Sequence, residues 1–255
     1  MINSPTTLSV IVPVYNEQVV VKSSLLRLRV LETSPYLVSI KIIVVDDCSQ
    51  DQTDIVLNQF QKSLENECWD ENFSWEFVRH EKNQGKGAAI RTGLKFANTT
   101  LTVIHDADLE YHPKDLLKMI PLFVEEEADA VFGSRYLRVG FKKTLSFWHS
   151  LGNRLLTLLC NLVSDLDTTD METCYKMVRT DLIKSIPLTS TDFRIEPELT
   201  IKLAKRGANL FEVPISYSSR SYQEGKKINW KDGIKALVAI LKFGFSSNIC
   251  QQDKE

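Results

Sequence analysis

Two aspartates separated by a single residue follow an apolar segment in the stretch VIHDADLEYHP at residues 103–113. Asp106 and Asp108, with Glu110 two positions further on, place carboxyl groups at the end of a segment with strand character. Closely spaced carboxylates repel each other unless a cation compensates, and oxygen ligands favour Mg²⁺ or Mn²⁺, which commonly bridge a diphosphate. The sequence therefore predicts a divalent metal site at Asp106, Asp108 and Glu110. A solvated acidic turn before a helix is the competing interpretation.

Three further polar segments also follow apolar, strand-like runs: PVYNE (13–17), DDCSQDQT (46–53) and NQGKGAAIRTG (83–93). Asp46 and Asp47 are candidates to accept hydrogen bonds from a base or ribose, although a turn and a helix N-cap use the same residue types. Gly85 permits close backbone approach, and Lys86 stands beside a helix N-terminus where phosphate can bind. The glycine spacing is not that of a Walker A loop. Together the segments indicate a nucleotide site.

The elements that must position these residues alternate along the first half of the chain. The hydrophobic pattern predicts strands at 8–15, 39–47, 75–80, 100–106 and 128–134, and helices at 18–32, 51–64, 87–97 and 113–127. Continuous apolar strands separated by helices are typical of a parallel sheet with helices on both faces. Because ligands bind at the carboxyl ends of such strands, the four polar segments are expected to share one edge of the sheet.

The second half of the chain has a different pattern. It predicts helices at 144–163 and near 195–206, a strand at 211–217 and a C-terminal helix over 230–245. One face of the C-terminal helix is apolar and its flanks carry lysines: Trp230, Ile234, Leu237, Val238, Leu241 and Phe245, with Lys231, Lys235 and Lys242. This helix and the one at 144–163 are expected to lie on a membrane surface, or else to bury their apolar faces in protein.

Composition excludes several classes of protein. The 255 residues are 43% hydrophobic and 25% charged, which is ordinary for a globular protein, and a net charge of −2 argues against a nucleic-acid binder. The five cysteines form no CxxC pair, so a reducing, cytoplasmic compartment is expected. No signal peptide is indicated, and no segment has the ~20 apolar residues of a membrane-spanning helix.

Six segments in order carry a resemblance to a known family: PVYNE, VVDDCSQDQT, NQGKGAAIRTG, DADLEYHPKD, GSRY and DMETCYKMVR. Over nearly the whole chain the sequence resembles family 2 inverting glycosyltransferases of the GT-A fold, and most of all the dolichol- or polyprenyl-phosphate mannose synthase branch. The resemblance implies transfer of mannose or glucose from a GDP- or UDP-hexose to a polyprenyl or dolichyl phosphate, with Mg²⁺ or Mn²⁺.

The resemblance also implies a domain organisation and places the protein at a membrane. A GT-A domain would cover 1–220, with a nucleotide-sugar-binding half at 1–134 and an acceptor half at 135–220, followed by a basic segment and amphipathic helix at 221–255. The protein would be peripheral on the cytoplasmic face of a membrane, alone or with a membrane-anchored partner subunit.

By position, the resemblance assigns four groups of site residues. The nucleotide-sugar would be bound by Pro13, Tyr15, Glu17, Asp46, Asp47, Gly85, Lys86, Asp106, Ala107 and Lys226. The catalytic group would be Asp108, Arg135, Asp170 and Arg220, the acceptor group His149, Asn153 and Glu172, and the metal ligands Asp106, Asp108 and Glu110. The sequence departs from the family at Glu110, where Gln is frequent, at Gln223 and Glu224 in the basic segment, and in WHSLGNR, where an arginine and a serine are expected.

The identity of the acceptor decides whether a general base is needed. A phosphate acceptor is already anionic and needs none, whereas a sugar hydroxyl would need one, for which Asp170 and Glu172 are the candidates. The DMETC segment is equally compatible with a capped loop that enters the strand-like CYKMV. The alternatives are thus a family 2 enzyme that extends a polysaccharide or glycolipid, and a non-catalytic nucleotide-binding module. A nucleotidylyltransferase would have a glycine-rich basic loop after the first strand, which PVYNE lacks.

Overall fold

A computed structural model describes residues 5–67, 69–137, 147–220 and 230–246. Seven strands form a single sheet in the order β3-β2-β1-β4-β6-β5-β7. The strands are β1 (Thr6–Val14), β2 (Leu37–Asp46), β3 (Phe73–Arg79), β4 (Leu101–Ile104), β5 (Ala130–Ser134), β6 (Lys176–Arg179) and β7 (Leu210–Pro214). The strands of residues 135–220, β6 and β7, therefore join the same sheet as those of residues 1–134.

Most neighbouring strands run parallel. β1 pairs in parallel with β2 and β4, β2 with β3, and β5 with β7, whereas β6 runs antiparallel to both β4 and β5. The predicted mostly parallel sheet is confirmed, and β6 corresponds to the strand-like CYKMV. Because the chain continues from β1 to β2 and β3 on one side and then returns to β4 on the other, the strand order reverses between β1 and β4. A crevice at the carboxyl ends of these two strands is where such sheets bind ligands.

Eight α-helices flank the sheet in the described part of the chain. They are α1 (Val21–Arg27), α2 (Thr53–Ser63), α3 (Lys86–Phe96), α4 (Ile120–Glu125), α5 (Phe147–Ser164), α6 (Thr180–Ser185), α7 (Ile195–Lys205) and α8 (Trp230–Gly244). The helix predicted at 113–127 is instead a 3₁₀ helix, Pro113–Lys118, followed by α4. Pro121 lies in the first turn of α4 and has no N–H to continue a helix across this point. The helix predicted at 18–32 is similarly divided, since a 3₁₀ helix at Leu28–Thr33 follows α1.

Two clusters of buried side chains hold the elements together. The larger one contains the apolar residues of the central strands, and Val10, Ile11 and Val12 of β1 have no exposed surface. Parallel strands covered on both faces need this continuous apolar character. The smaller cluster joins α5, α7 and α8 through Cys160, Ile201, Ala239, Ile240 and Phe243. The predicted helices at 144–163 and 230–245 are thus anchored to the protein by one face each.

Candidate active site

The loops that follow β1, β2, β3 and β4 each contain a residue in the left-handed backbone region. These residues are Asn16 (φ 51°), Cys48 (φ 60°), Gly85 (φ 93°) and Leu109 (φ 64°). Asparagine and glycine adopt this conformation at little cost, whereas a bulky side chain such as Leu109 is strained in it. Each loop therefore turns sharply at the edge of the sheet, and the four polar segments meet there as the sequence predicts.

The loop after β4 carries the two aspartates of the DxD pattern. Asp106 Oδ2 accepts a hydrogen bond from Lys86 Nζ at 2.9 Å, and the intervening Ala107 is buried. Although burial opposes ionisation, the Lys86 ammonium holds the pKa of Asp106 below its ordinary value. Burial, followed by the charges of Asp106 and Glu110, raises the pKa of Asp108 to about 7. The two carboxyl groups, whose side chains are 21% and 18% exposed, thus lie close enough for the charge of one to oppose ionisation of the other.

Glu110, the third predicted metal ligand, contacts the segment after β7 with both carboxylate oxygens. Its Oε1 accepts the backbone N–H of Arg220 at 2.8 Å, and its Oε2 accepts the Tyr217 hydroxyl at 2.8 Å. Among the residues that the structure describes, no group of three or more His, Cys, Asp or Glu side chains is placed to hold a metal ion. Two carboxylates remain, and Mg²⁺ commonly takes one or two carboxylates from protein while substrate phosphates and water complete its shell. Asp106 and Asp108 therefore fit a divalent ion held jointly with a diphosphate, and a metal-ligand role for Glu110 stays a prediction.

Arg220 connects the loop after β4 to the loop after β1. Its two terminal nitrogens donate to the two Glu17 oxygens at 2.9 and 3.1 Å, and Nη2 lies 3.3 Å from Asp108 Oδ2. Glu17 is itself fixed, because its N–H donates to the Thr53 hydroxyl at 2.9 Å. Three of the predicted site residues, Glu17, Asp108 and Arg220, are thus brought together. Pro13 and Tyr15 lie partly buried at the end of β1 beside them.

Lys86 belongs to a buried chain of charges that the sequence did not indicate. Its Nζ lies 3.0 Å from Glu196 Oε1, and Glu196 Oε2 accepts from Lys176 Nζ at 2.7 Å. Lys176 is fully buried and also donates to the carbonyl oxygens of Met171 and Thr173. Because carboxylates balance both lysines, Lys86 is held towards Asp106 at the start of α3. Glu196 lies near the start of α7 and Lys176 is the first residue of β6. Because these elements are separate in the sequence, only the fold shows that the two charges are in contact.

A buried histidine fixes the start of the loop after β4. His105, directly before Asp106, contacts the Tyr175 hydroxyl through Nδ1 at 2.9 Å and the Ser24 hydroxyl through Nε2 at 3.1 Å. Burial lowers the pKa of His105 to about 4. The ring is therefore neutral at pH 7 and links α1 to the β4 and β6 region. These contacts show that His105 has a structural role.

Asp46 and Asp47, predicted to bind the base or ribose, hold the chain's own loops. Asp47 accepts the backbone N–H groups of Gln84 and Gly85 at 2.8 and 2.7 Å, and it contacts His80 Nδ1 at 2.7 Å. Asp46 Oδ1 accepts both the N–H and the hydroxyl of Ser49. The loops after β2 and β3 are thus joined at the predicted nucleotide site. Base or ribose recognition by these two residues stays a prediction.

Arg135, which directly follows β5, and Asp170 form a buried pair. Asp170 accepts from the Arg135 N–H, Nε and Nη2 at 3.0, 2.7 and 2.7 Å, and from Asn153 Nδ2 at 3.0 Å. Although burial opposes ionisation, Arg135 lowers the pKa of Asp170 below its ordinary value. Asp170 is therefore a fixed anion that holds Arg135, and it is poorly suited to accept a proton.

Glu172 differs from Asp170 in its surroundings. Its Oε1 is buried, and it has no hydrogen-bond partner within the described ranges. Burial raises the pKa of Glu172 to about 7. Of the two acidic residues considered as a general base, only Glu172 has a pKa close to neutrality. Two other predicted residues cannot be placed, since Lys226 lies outside the described residues and the His149 side chain is outside them as well.

The helices α5 and α8 carry an exposed apolar stripe each, although their opposite faces are buried. We call these stripes together the apolar face. Its side chains are 47–79% exposed and are Leu151, Leu155, Leu158 and Leu162 of α5, Ile234, Val238 and Leu241 of α8, and Phe245, which directly follows α8. Within each stripe the positions follow i, i+4, i+7 and i+11, the spacing of one helical face. In the described part of the chain, no helix is both long enough and apolar enough to cross a membrane.

Comparison with known protein sequences gives a consistent family. Residues 9–186 match the family described as "Glycosyl transferase family 2". A dolichol-phosphate mannosyltransferase of Pyrococcus furiosus is 27% identical over 221 residues, which are 86% of this chain and 58% of that protein. A UDP-N-acetylglucosamine–dolichyl-phosphate N-acetylglucosaminyltransferase of Methanococcus voltae is 26% identical over 240 residues, covering 91% of this chain and 93% of that protein.

Comparison with solved structures identifies the fold. Glucosyl-3-phosphoglycerate synthase of Mycobacterium tuberculosis in complex with UDP has a TM-score of 0.70 and 19% identity, over 94% of this chain and 80% of that one. The same enzyme with Mn²⁺, UDP and phosphoglyceric acid has a TM-score of 0.69 and 18% identity, over 94% and 79% of the two chains. These similarities confirm the predicted GT-A architecture.

Proposed function

Because the chain belongs to glycosyl transferase family 2 and is a glycosyltransferase, we propose that it moves a hexose from a nucleotide-sugar to a polyprenyl or dolichyl phosphate, with inversion at the anomeric carbon. The names of the two relatives support the acceptor more than the donor. One names a mannosyl group and the other an N-acetylglucosaminyl group, while both name a dolichol phosphate. The two relatives share the class of acceptor but not the sugar. We therefore propose the acceptor class and leave the transferred hexose, mannose or glucose, to be determined by experiment.

The donor site is the edge formed by the loops after β1 to β4. Asp106 and Asp108 would hold Mg²⁺ or Mn²⁺, which when bound would act as a Lewis acid towards the diphosphate. The structurally similar glucosyl-3-phosphoglycerate synthase binds Mn²⁺ or Mg²⁺ together with UDP, which supports the same metals for this chain. Arg220 lies 3.3 Å from Asp108 and supplies a fixed positive charge where negative charge grows on the leaving group.

The proposed reaction needs no general base. An oxygen of the acceptor phosphate forms a bond to the anomeric carbon, the bond from that carbon to the diphosphate oxygen breaks, and its electron pair leaves with the nucleoside diphosphate. A phosphate is already ionised at neutral pH. This agrees with the contacts of Asp170, whose oxygens accept four hydrogen bonds from Arg135 and Asn153.

The main observation in favour of a lipid phosphate as the acceptor is the position of Asn153. This residue of α5 donates to Asp170 at 3.0 Å, while Leu151 and Leu155 on the same helix belong to the apolar face. A lipid lying on the apolar face would therefore have its phosphate next to the Arg135–Asp170 pair. Exposed basic residues flank this face, among them Arg154, Lys235 and Lys242, and such residues favour anionic lipid surfaces.

The apolar face also supports a proposal about where the protein acts. We expect peripheral attachment to the cytoplasmic face of a membrane, and the free thiols of Cys48, Cys160 and Cys174 agree with a reducing compartment. A membrane-anchored partner subunit that covers part of the apolar face would serve the same purpose.

The decisive experiment is a transfer assay with purified protein. Radiolabelled GDP-mannose, UDP-glucose and related donors are incubated with dolichyl or undecaprenyl phosphate and Mn²⁺ or Mg²⁺, and label is counted in the organic phase. Incorporation that is abolished by EDTA and restored by added Mn²⁺ supports the proposal. Absence of label in the organic phase with every donor and lipid contradicts it.

A second candidate function is transfer to a sugar hydroxyl during polysaccharide or glycolipid synthesis. The observation that favours it is the buried, unpartnered Glu172 Oε1, found among the described residues, in a carboxyl group whose pKa is about 7. A pKa near the working pH suits a general base. Glu172→Gln separates the two candidates: a general base contributes about 10²–10⁴-fold, whereas a phosphate acceptor leaves turnover nearly unchanged. A non-catalytic nucleotide-binding module would bind donor but transfer no label to either acceptor.

A further inference from the structure

We propose that Glu110 is a positioning residue, which fixes the segment 217–220 against the loop after β4 and thereby holds Arg220 at the diphosphate site. The sequence pattern places Glu110 with the metal ligands, yet both of its carboxylate oxygens point to this segment instead. The inference rests on the proposed function, because the diphosphate site belongs to it.

Three hydrogen bonds join Glu110 to the segment. Its carboxylate accepts the Tyr217 hydroxyl and the Arg220 N–H, each at 2.8 Å, and its main-chain oxygen accepts the Ser218 N–H at 2.8 Å. The neighbouring Tyr111 forms a β-bridge with Tyr217, and the two rings lie 5.3 Å apart. The segment after β7 is thus fixed along its length to the residues that follow the DxD pattern.

The position of the Arg220 side chain follows from this attachment. Its guanidinium contacts Glu17 with both terminal nitrogens and approaches Asp108, so it spans the loops after β1 and β4. A free arginine side chain loses considerable rotamer entropy when it is confined to one place. Fixing the Arg220 backbone by the Glu110 carboxylate removes the backbone freedom of this residue and sets where the positive charge stands before a diphosphate binds.

The contacts predict different effects for two substitutions of Glu110. Glu110→Gln keeps both contacts, because the amide oxygen accepts the Arg220 N–H while the amide NH₂ donates to the Tyr217 oxygen. Glu110→Ala loses both. If Glu110 is a positioning residue, Gln can substitute for it functionally and Ala cannot. If Glu110 is a metal ligand, Glu110→Ala weakens metal binding even where the segment 217–220 keeps its position.

The first measurement is Mn²⁺ binding in the presence of UDP or GDP, followed by the electron paramagnetic resonance of free Mn²⁺, together with kcat and KM for the donor. We expect the Mn²⁺ affinity of Glu110→Ala to stay within about twofold of wild type, while its kcat falls about tenfold to a hundredfold, as hydrogen bonds to a charged group are worth. Glu110→Gln should keep kcat within about threefold, since its two hydrogen bonds remain. Thermal unfolding of each variant checks that the fold is intact.

The second measurement is amide hydrogen exchange of residues 217–220, which needs no activity. Glu110→Ala should accelerate exchange at Arg220 at least about tenfold, because its N–H loses its acceptor. Tyr217→Phe removes one of the same contacts, so the double variant Glu110→Ala/Tyr217→Phe should have nearly the kcat of Glu110→Ala alone.

The inference is overturned if Glu110→Ala loses Mn²⁺ affinity tenfold or more, if the kcat losses of Glu110→Ala and Tyr217→Phe simply multiply, or if exchange at Arg220 is unchanged. Failure of the proposed function gives a different result. In that case wild-type protein itself binds no Mn²⁺ with any nucleoside diphosphate, while the exchange measurement still reports whether Glu110 holds the segment.

Discussion

At the scale of single residues, the proposed donor site depends on Asp108. Asp108→Asn keeps the side-chain shape and the oxygen that accepts the Glu110 N–H, but it removes the negative charge. If Asp108 helps to hold the divalent ion, turnover should fall at least about a hundredfold, and the Mn²⁺ concentration for half-maximal activity should rise. Asp181→Asn, on the exposed surface of α6, is the matched control and should leave both values unchanged. Equal effects of the two substitutions would argue against the metal site.

Glu172 gives a prediction about pH and stability. Burial raises its pKa to about 7 in the folded protein, above the ordinary value of 4.5. The folded state therefore binds this proton more tightly than the unfolded state, so its contribution is complete below about pH 4.5 and is lost as the pH rises through 7. Glu172→Gln removes this dependence and should be more stable than wild type at pH 8 by on the order of 2 kcal/mol. Urea unfolding at pH 5 and pH 8 measures it, and a stability difference that does not change between the two pH values would contradict it.

How far the site could be predicted depends on the kind of information each residue carries. Asp106 and Asp108 could be found because the strand end, the residue type and the spacing are all local in the sequence. The partners of Glu110 could not, because Tyr217 and Arg220 lie more than a hundred residues away. The same holds for Lys86, whose charge is balanced by Glu196 of α7. Acidic residues near a DxD pattern look alike in sequence and are distinguished only by what they contact.

At the scale of elements, the turn between β3 and α3 depends on Gly85. Its φ of 93° lies in a region that side chains rarely adopt, and a Cβ there would collide with the backbone carbonyl of Thr191. Gly85→Ala should therefore destabilise the protein by about 2 kcal/mol or more and weaken nucleotide binding. Gly152→Ala is the matched control, since among the described residues nothing lies within 4 Å of its Cβ. Inside α5 this change should stabilise by about 0.5–1 kcal/mol. Urea unfolding checks the opposite signs, and destabilisation by both changes would contradict the argument.

Most elements could be predicted because hydrophobic period and length agree along the first half of the chain. The exceptions have identifiable causes. Pro121 divides the predicted helix at 113–127. β6 has only four residues, and its antiparallel direction is set by its neighbours β4 and β5, which a local pattern does not contain. The six-residue helix α6 directly follows β6 and was too short to show a period.

At the scale of the whole molecule, the apolar face predicts attachment to a lipid surface. Leu158 of α5 and Val238 of α8 are each 55% exposed, and Ile55 of α2, outside this face, is 51% exposed. Leu158→Glu and Val238→Glu should lower binding to vesicles that contain phosphatidylglycerol at least about tenfold, because each places a charge in the apolar contact. Ile55→Glu has the same chemistry and similar exposure, and it should bind like wild type.

Co-sedimentation with the vesicles measures this prediction, and binding should weaken as salt screens the basic residues beside the face. Absence of wild-type binding at low ionic strength would remove the membrane assignment. Weak binding of Ile55→Glu as well would show that attachment is not specific to the apolar face. The sequence could indicate the two amphipathic helices, but only the fold shows that α7 covers one side of each and leaves the other exposed.

The left-handed residues in the four strand-end loops have a consequence for how the protein responds to heat. Cys48 and Leu109 hold conformations that cost about 1–3 kcal/mol each, and these conformations persist only while the surrounding contacts enforce them. The loops after β1 to β4 are thus less resistant to local opening than the strands that they follow. On warming, the capacity to retain nucleotide should vanish several degrees before the circular-dichroism signal of the helices, and a bound nucleotide should close that gap.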